Sequence, residues 1–188
     1  MVKLIGITGM PGAGKNAAHK VAAELGIPIV SMGDIVRKEA ERLGLPLTCE
    51  VLGGVALCLR AEGQDAIAKR AQRQIAKLLK SNPQPKVILI DGIRSIEEWK
   101  YFRRVHKKIT LVAIVASPKT RFERLVKRKR SDDYDNWSSF ENRDLREILL
   151  GIGGVIALAD YTVINESTLE DLHNNLLKIF KKVIEEDC

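Results

Sequence analysis

The stretch that decides the fold lies near the amino terminus and reads Gly9-Met10-Pro11-Gly12-Ala13-Gly14-Lys15-Asn16. It matches the pattern GxxxxGK, with Asn16 where a Ser or Thr usually follows the lysine. Glycines in such a loop let consecutive backbone N–H groups turn around a phosphate, and the next helix adds about half a positive charge. Lys15 is expected to reach the β- and γ-phosphates of a nucleotide. The stretch therefore predicts a phosphate-binding loop.

The residues around this loop predict an α/β fold. An apolar run, Val2–Thr8, precedes the loop, and an alanine-rich helical stretch follows it. The dinucleotide pattern GxGxxG does not fit, because the glycines stand at 9, 12 and 14. Further strands are predicted at Ile29–Ser31, Val87–Ile90, Ile109–Val115 and Tyr161–Ile164. Helical patterns separate them, so we expect a P-loop NTPase fold, a three-layer α/β/α sandwich with a five-stranded parallel sheet.

Three helices and one loop are predicted between and after these strands. The helices span Gly33–Leu43, Glu62–Lys80 and a closing amphipathic segment from Leu169 to Val183. The polar segment Ser131–Ser139 interrupts the helical pattern and is predicted to be a mobile loop.

Composition limits the class of protein. The 188 residues fit a single domain, residues 1–188, and the formal net charge of +7 favours anionic partners. Three cysteines without a CxxC suggest free thiols in a reducing cytosol, and the histidines are read as surface or satisfied residues. No signal peptide or membrane span is evident, so a cytoplasmic location is expected. Aromatic residues make up 5% of the chain, which disfavours nucleic acid as the main partner.

Two acidic residues follow predicted strands, where polar groups would face the loop. Asp91 ends the strand Val87–Ile90 and suits a water-mediated Mg²⁺ contact, although a plain turn residue is the alternative. Asp34 follows the second strand, where capping of a helix would be the simpler role. The side-chain oxygen of Asn16 is a further candidate Mg²⁺ ligand, but a longer one than the usual hydroxyl. We therefore expect Asn16 to weaken Mg²⁺-dependent turnover more than ATP binding.

The chain resembles adenylate-kinase-like P-loop kinases, and within them an archaeal family of adenylate-kinase-related proteins. The matching segments are residues 9–15, 32–37, 91–95, 130–133 and 150–161. The resemblance implies an acceptor-binding insert at about 33–70 and a lid at about 128–143. It also implies that Asp34 holds magnesium-bound water and that Arg37 grips the acceptor phosphate, with Asp34 the leading candidate for a general base.

Further arginines are assigned through the same resemblance. Those of the lid are expected to contact the transferring phosphate, with Arg124, Arg128 and Arg143 as the best candidates. A solvated basic helix is the simpler alternative for any one of them. Candidate acceptor contacts are Arg60, Arg70 and Arg94, the last standing one residue earlier than the family pattern has it.

These assignments predict an ATP- and Mg²⁺-dependent kinase acting on a nucleotide-like acceptor, such as a nucleoside monophosphate. A dephospho-coenzyme-A kinase is the alternative enzyme, because its acceptor is a ribose hydroxyl. A slow nucleotide-dependent switch that binds RNA or protein is the alternative from another class. The sequence leaves the acceptor and the oligomeric state open.

Overall fold

A computed structural model describes residues 2–81, 83–128 and 136–185. Its central sheet has five parallel strands in the order β2-β3-β1-β4-β5. The strands are β1 (Lys3–Thr8), β2 (Ile29–Ser31), β3 (Val87–Asp91), β4 (Ile109–Val115) and β5 (Tyr161–Ile164). The predicted five-stranded parallel sheet is confirmed.

Helices cover both faces of this sheet. They are α1 (Asn16–Glu24), α2 (Met32–Arg42), α3 (Cys49–Ala61), α4 (Ala66–Leu78), α5 (Ile96–Val105), α6 (Pro118–Arg128), α7 (Trp137–Leu149), α8 (Ile152–Ala157) and α9 (Leu169–Glu185). One apolar core lies between the sheet and α1 and α9, and a second lies between the sheet and α2, α3, α4, α5 and α8. The molecule is therefore a three-layer α/β/α sandwich. Among the described helices, none is long and apolar enough to cross a membrane.

The central strand β1 shows why its sequence is apolar at almost every position. Leu4 packs into one core, whereas Ile5 and Ile7 pack into the other, and all three are fully buried. A strand buried on both faces has no solvent side and so lacks polar alternation. Because the neighbouring strands run parallel, the carboxyl ends of β1, β3 and β4 meet at one edge. That edge is where α/β sheets of this kind bind ligands.

Helix boundaries differ from the predictions at glycines and capping residues. The helix predicted from Glu62 begins at Ala66, because Gly63 has a φ of +153° and separates α4 from α3. Helix α2 begins at Met32, where the Ser31 hydroxyl accepts a hydrogen bond from the Asp34 amide. Asn136 caps α7 in the same way, so residues 137–139 of the predicted loop are helical. Residues 131–135 of that loop lie outside the described residues.

Candidate active site

The loop of residues 9–16 closes against the carboxyl end of the sheet. The Ala13 amide donates to the Met10 carbonyl, and Gly12 and Gly14 have φ values of +80° and +107°. A Cβ at Gly14 would lie 2.3 Å from Asn165 Nδ2, so a side chain has no room there. Within the described ranges, no backbone carbonyl accepts from the amides of Gly12, Gly14 or Lys15. Amide donors left open in this way form a cradle that fits the phosphates of a nucleotide.

Lys15 supplies a cation at this cradle. Its Nζ donates to the carbonyl oxygens of Gly9, at 2.6 Å, and Met10, at 3.2 Å. Burial lowers the pKa of Lys15 to about 8, although the nearby Asp91 carboxylate opposes that shift. An anionic phosphate at the cradle would favour the charged ammonium. The cleft beside the loop, here called the loop cleft, has a volume of about 210 Å³.

Asp91 lies at the end of β3 and faces the loop cleft. Its Oδ2 is 3.0 Å from His19 Nε2, and its Oδ1 is buried without a hydrogen-bond partner among the described residues. Burial opposes ionisation of Asp91, but His19, Lys15 and Arg94 outweigh it and keep its pKa below the ordinary value. The carboxylate in turn raises the pKa of His19. A charged carboxylate with one open oxygen fits a water-mediated contact to Mg²⁺.

The two other residues predicted to hold Mg²⁺ are placed differently. Asn16 lines the loop cleft as the first residue of α1, so its side chain stands beside the phosphate cradle. Asp34 does not line that cleft; its side chain is 60% exposed, and its Oδ1 is 3.2 Å from Arg37 Nη1. The structure thus brings Asn16 and Asp91 together and leaves Asp34 outside. A magnesium role for any of them stays a prediction.

A second, larger cleft of about 560 Å³ opens between α2, α3 and α7, and we call it the side cleft. Much of its wall is aliphatic and comes from Val36, Leu52, Ala56, Leu57, Ile67, Leu149 and Leu150. The charged side chains that line it are Arg37, Glu50, Arg60, Arg94, Arg143, Arg146 and Glu147. Such a cleft can take a small molecule with an apolar body and negative charge.

The two clefts share part of their walls. Both are lined by Gly33, Arg37, Gly92, Arg94, Arg143 and Glu147. Three of these six, Arg37, Arg94 and Arg143, were predicted from the sequence to contact phosphate. They come from three separate segments of the chain. A ligand in the side cleft would therefore meet, at this junction, the phosphates of a ligand in the loop cleft.

A chain of charged groups runs from the floor of the side cleft to this junction. Arg60 Nη2 is 2.7 Å from Glu98 Oε1, and both residues are buried. The other carboxylate oxygen of Glu98 accepts from the backbone amides of Arg94 and Ser95. Arg94 Nη1 then lies 2.7 Å from Glu147 Oε1, and this carboxylate raises the pKa of Arg94. The predicted phosphate contact Arg60 is therefore committed to an ion pair, although its Nε has no partner among the described residues.

The remaining predicted arginines fall into two groups. Arg124, Arg128 and Arg143 line the loop cleft, as the lid assignment expects. Arg70 lines neither cleft and makes an ion pair with Glu62, at 2.8 Å. The structure therefore does not place Arg70 with the other candidate acceptor contacts. Residues 129–135 of the predicted lid lie outside the described part of the chain.

Two buried side chains support the loop from behind. Asn165 Nδ2 donates to the Ala13 carbonyl at 2.8 Å, and its backbone and side-chain oxygens accept from Arg124 Nη2. Arg121 donates to the Pro11 carbonyl and makes two hydrogen bonds to the Asp144 carboxylate. Asn165 thus holds the phosphate loop and the guanidinium of Arg124. One of the nitrogens of that guanidinium, Nη1, is buried and has no partner in the described ranges.

Sequence reasoning missed three residues that the structure places at the clefts. His19 stands one helical turn after Lys15, and its Nε2 lies 3.0 Å from Asp91 Oδ2. Glu147 stands one turn after Arg143 and lines both clefts. Arg146 lines the side cleft. Positions four apart share a helix face, so this spacing could have identified His19 and Glu147.

Fold and site together define a P-loop kinase-like protein. A family model described as an AAA domain (AAA_17) matches residues 8–141. Among solved structures, TT1252 from Thermus thermophilus has a TM-score of 0.65 at 16% identity, covering 96% of this chain and 97% of that chain. A shikimate kinase from Acinetobacter baumannii in complex with shikimate has a TM-score of 0.59 at 16% identity, covering 97% and 94%. These likenesses establish the fold.

Relatives of higher identity give the family. A UPF0200 protein of Methanocaldococcus jannaschii is 50% identical over 182 residues, which are 96% of this chain and 90% of that protein. Another from Thermococcus sibiricus is 43% identical over 183 residues, 96% of this chain and 95% of that protein. The chain belongs to the UPF0200 family, which confirms the predicted membership in an archaeal family of P-loop proteins.

Proposed function

We propose that this protein transfers a phosphoryl group from ATP to a small anionic molecule, for which a nucleotide-like acceptor is the specific expectation. The observation that carries the proposal is the junction between the clefts. A phosphate cradle with a lysine opens directly into a second cleft, and arginines line the shared wall. A transferring phosphoryl group needs such an arrangement, because positioning and charge neutralisation dominate this reaction.

Each half of the site has a distinct task in this proposal. The amides of Gly12, Gly14 and Lys15 hold the donor phosphates, and the Lys15 ammonium balances their charge. Asp91, with the nearby Asn16, would hold Mg²⁺ partly through water, and the ion would neutralise charge on the phosphate oxygens. On the acceptor side, Arg37, Arg94 and Arg143 orient the acceptor through its negative charge.

The lid arginines Arg124 and Arg128 are assigned to the transferring phosphate. Both lie on α6 and line the loop cleft, and Arg124 Nη2 also donates to the backbone oxygen of Asn165. A guanidinium disperses developing charge over several nitrogens, which suits a phosphoryl group in transit. The known kinase among the fold neighbours supports a kinase assignment for the class, and the acceptor is left to experiment.

The direct test is the variant Lys15→Ala. Loss of the ammonium should weaken ATP binding and lower acceptor-dependent ADP release roughly 100-fold, because no cation at this position would balance the charge of the phosphates. ADP release would be measured with a coupled assay over four nucleoside monophosphates, shikimate and dephospho-coenzyme A. Lys20→Ala, at an exposed position on the same helix, is the matched control and should behave as wild type. Unchanged ATP affinity in Lys15→Ala would refute the donor site.

A further inference from the structure

Glu147 has a position that the assignments above leave unexplained. It lies on α7, is 6% exposed and lines both the loop cleft and the side cleft. Its Oε1 accepts from Arg94 Nη1 at 2.7 Å, whereas its Oε2 is buried and has no hydrogen-bond partner among the described residues. One half of this carboxylate is thus fixed, and the other half is open at the place where the two clefts meet.

An open carboxylate oxygen in a buried position calls for a donor. A buried acceptor without a hydrogen bond destabilises the folded protein, and more so when it is charged. Arg94 keeps the carboxylate oriented and compensates its charge, but it occupies only Oε1. A hydroxyl group on a ligand in the side cleft would donate to Oε2, and both oxygens of the Glu147 carboxylate would then accept a hydrogen bond. A phosphate oxygen of a ligand could not, because it carries negative charge itself.

The other carboxylates near the site do not lie where the two clefts meet. Asp34 lines neither cleft and is paired with Arg37. Asp91 lies on the loop-cleft side beside His19. Glu50 lines the side cleft but is exposed and does not line the loop cleft. Among the described acidic residues, Glu147 is the one that lines both clefts.

We propose that Glu147 is the general base of the phosphoryl transfer and that the attacking group of the acceptor is a hydroxyl. This inference rests on the proposed function and names the class of its acceptor. Glu147 replaces Asp34 as the candidate general base. The acceptor is then an alcohol that carries negative charge for the arginines and fits the aliphatic wall, and the product is a phosphate monoester.

The transfer step balances with the groups that the proposal names. The hydroxyl oxygen forms a bond to the γ-phosphorus, and the bond from that phosphorus to the bridging oxygen breaks. ADP leaves with the electron pair of the broken bond. The hydroxyl proton passes to Glu147 Oε2 and later to solvent. A nucleoside monophosphate that attacks through its phosphate oxygen would need no such base, because that oxygen is already ionised.

The test combines product chemistry with variants of Glu147. Shikimate and dephospho-coenzyme A serve as hydroxyl probes and four nucleoside monophosphates as phosphate probes. Phosphorus NMR distinguishes a monoester from a phosphoanhydride, because the transferred phosphorus couples to a second phosphorus only in the anhydride. We expect a monoester, and in Glu147→Gln a fall in kcat of roughly 100-fold or more with ATP affinity within about twofold of wild type. Glu141→Gln, exposed on the same helix, is the control and should keep the wild-type kcat.

A structural role for Glu147 would give a different result. Glu147→Ala removes the carboxylate, and added formate should restore part of its kcat if the lost group is a base. Loss of activity with a lowered melting temperature and no rescue by formate would overturn the proposal. A phosphoanhydride product, a wild-type kcat in Glu147→Gln, or a protein that binds ATP and phosphorylates neither hydroxyl probe would overturn it as well. Failure of the wild type to bind ATP would instead refute the proposed function.

Discussion

The two clefts are built in different ways. The phosphate cradle of the loop cleft is formed by main chain from one short segment with glycines and open amides, and side chains from other segments complete the cleft. The side cleft is formed by side chains from α2, α3, α4 and α7, and ion pairs tie α3 to α5 and Arg94 to α7. The first depends on backbone conformation, and the second depends on packing and charge pairing. Substitutions should therefore damage them through different measurable quantities.

The largest effect is expected at the floor of the side cleft. Arg60→Met would leave the buried Glu98 carboxylate without its cation, and this should lower the free energy of unfolding by roughly 3–5 kcal/mol. Urea unfolding, followed by circular dichroism, measures this loss of unfolding free energy. The control is Arg42→Met, which removes an exposed guanidinium from its pair with Glu39 and should leave the midpoint of urea unfolding unchanged. Equal shifts in both variants would contradict the idea that buried pairs hold the side cleft.

The next effect tests the main-chain character of the loop cleft. Gly14→Ala would place a Cβ 2.3 Å from Asn165 Nδ2 at a φ of +107°, and distortion of the loop should weaken ATP binding roughly tenfold to 100-fold. Isothermal titration calorimetry measures the affinity. Gly54→Ala is the matched change in the side cleft, where a Cβ meets no atom within 4 Å. It should leave ATP affinity unchanged and stabilise α3 by about 0.5–1 kcal/mol.

A smaller effect is expected from the residue that supports the loop. Asn165→Ala removes the donor to the Ala13 carbonyl and should lower the free energy of unfolding by roughly 1–3 kcal/mol, with weaker ATP binding. Thermal unfolding and calorimetry would measure the two quantities. Asn174→Ala, at an exposed position of α9, provides the comparison and should change neither. If Asn165→Ala lowered stability but left ATP affinity intact, the loop would hold its shape without this contact.

The smallest effect is a pH dependence of donor binding. The pKa of Lys15 is lowered to about 8, so in the free protein the ammonium is charged below that pH and is lost above it. ATP affinity should be constant at lower pH and should fall by up to about tenfold per pH unit above 8. Calorimetry between about pH 6.5 and 9.5 would show this. Lys15→Arg, whose guanidinium stays charged, should show no such fall. If ATP affinity fell equally with pH in both proteins, the titrating group would not be Lys15.

The sequence predicts the loop cleft well because its determinants are local. Gly14 and Lys15 stand in one motif, and Asp91 joins them because parallel strands end at a common edge. The side cleft was less predictable. Helix α3 was missed because Gly53 and Gly54 lower its helix propensity, although it buries Val55 and Leu59.

Long-range pairing explains why the ion pairs of Arg60 and Glu147 were not predicted. Arg60 was interpreted as a phosphate contact, whereas its partner Glu98 lies 38 residues further along the chain. Glu147 pairs with Arg94 across 53 residues, and no local pattern shows that relation. A cation in a sequence does not reveal its partner, and only the fold decides whether that partner is a ligand, water or a carboxylate of the protein.

The chain of charges from Arg60 through Glu98 and Arg94 to Glu147 also constrains how this protein can diverge. A lineage that loses the guanidinium at position 94 would retain an uncompensated carboxylate at position 147, so the two positions should drift as a pair. Relatives that keep the fold but no longer transfer a phosphoryl group should have neutral residues at both positions 94 and 147. Where only Arg94 has changed, a compensating cation should have arisen nearby.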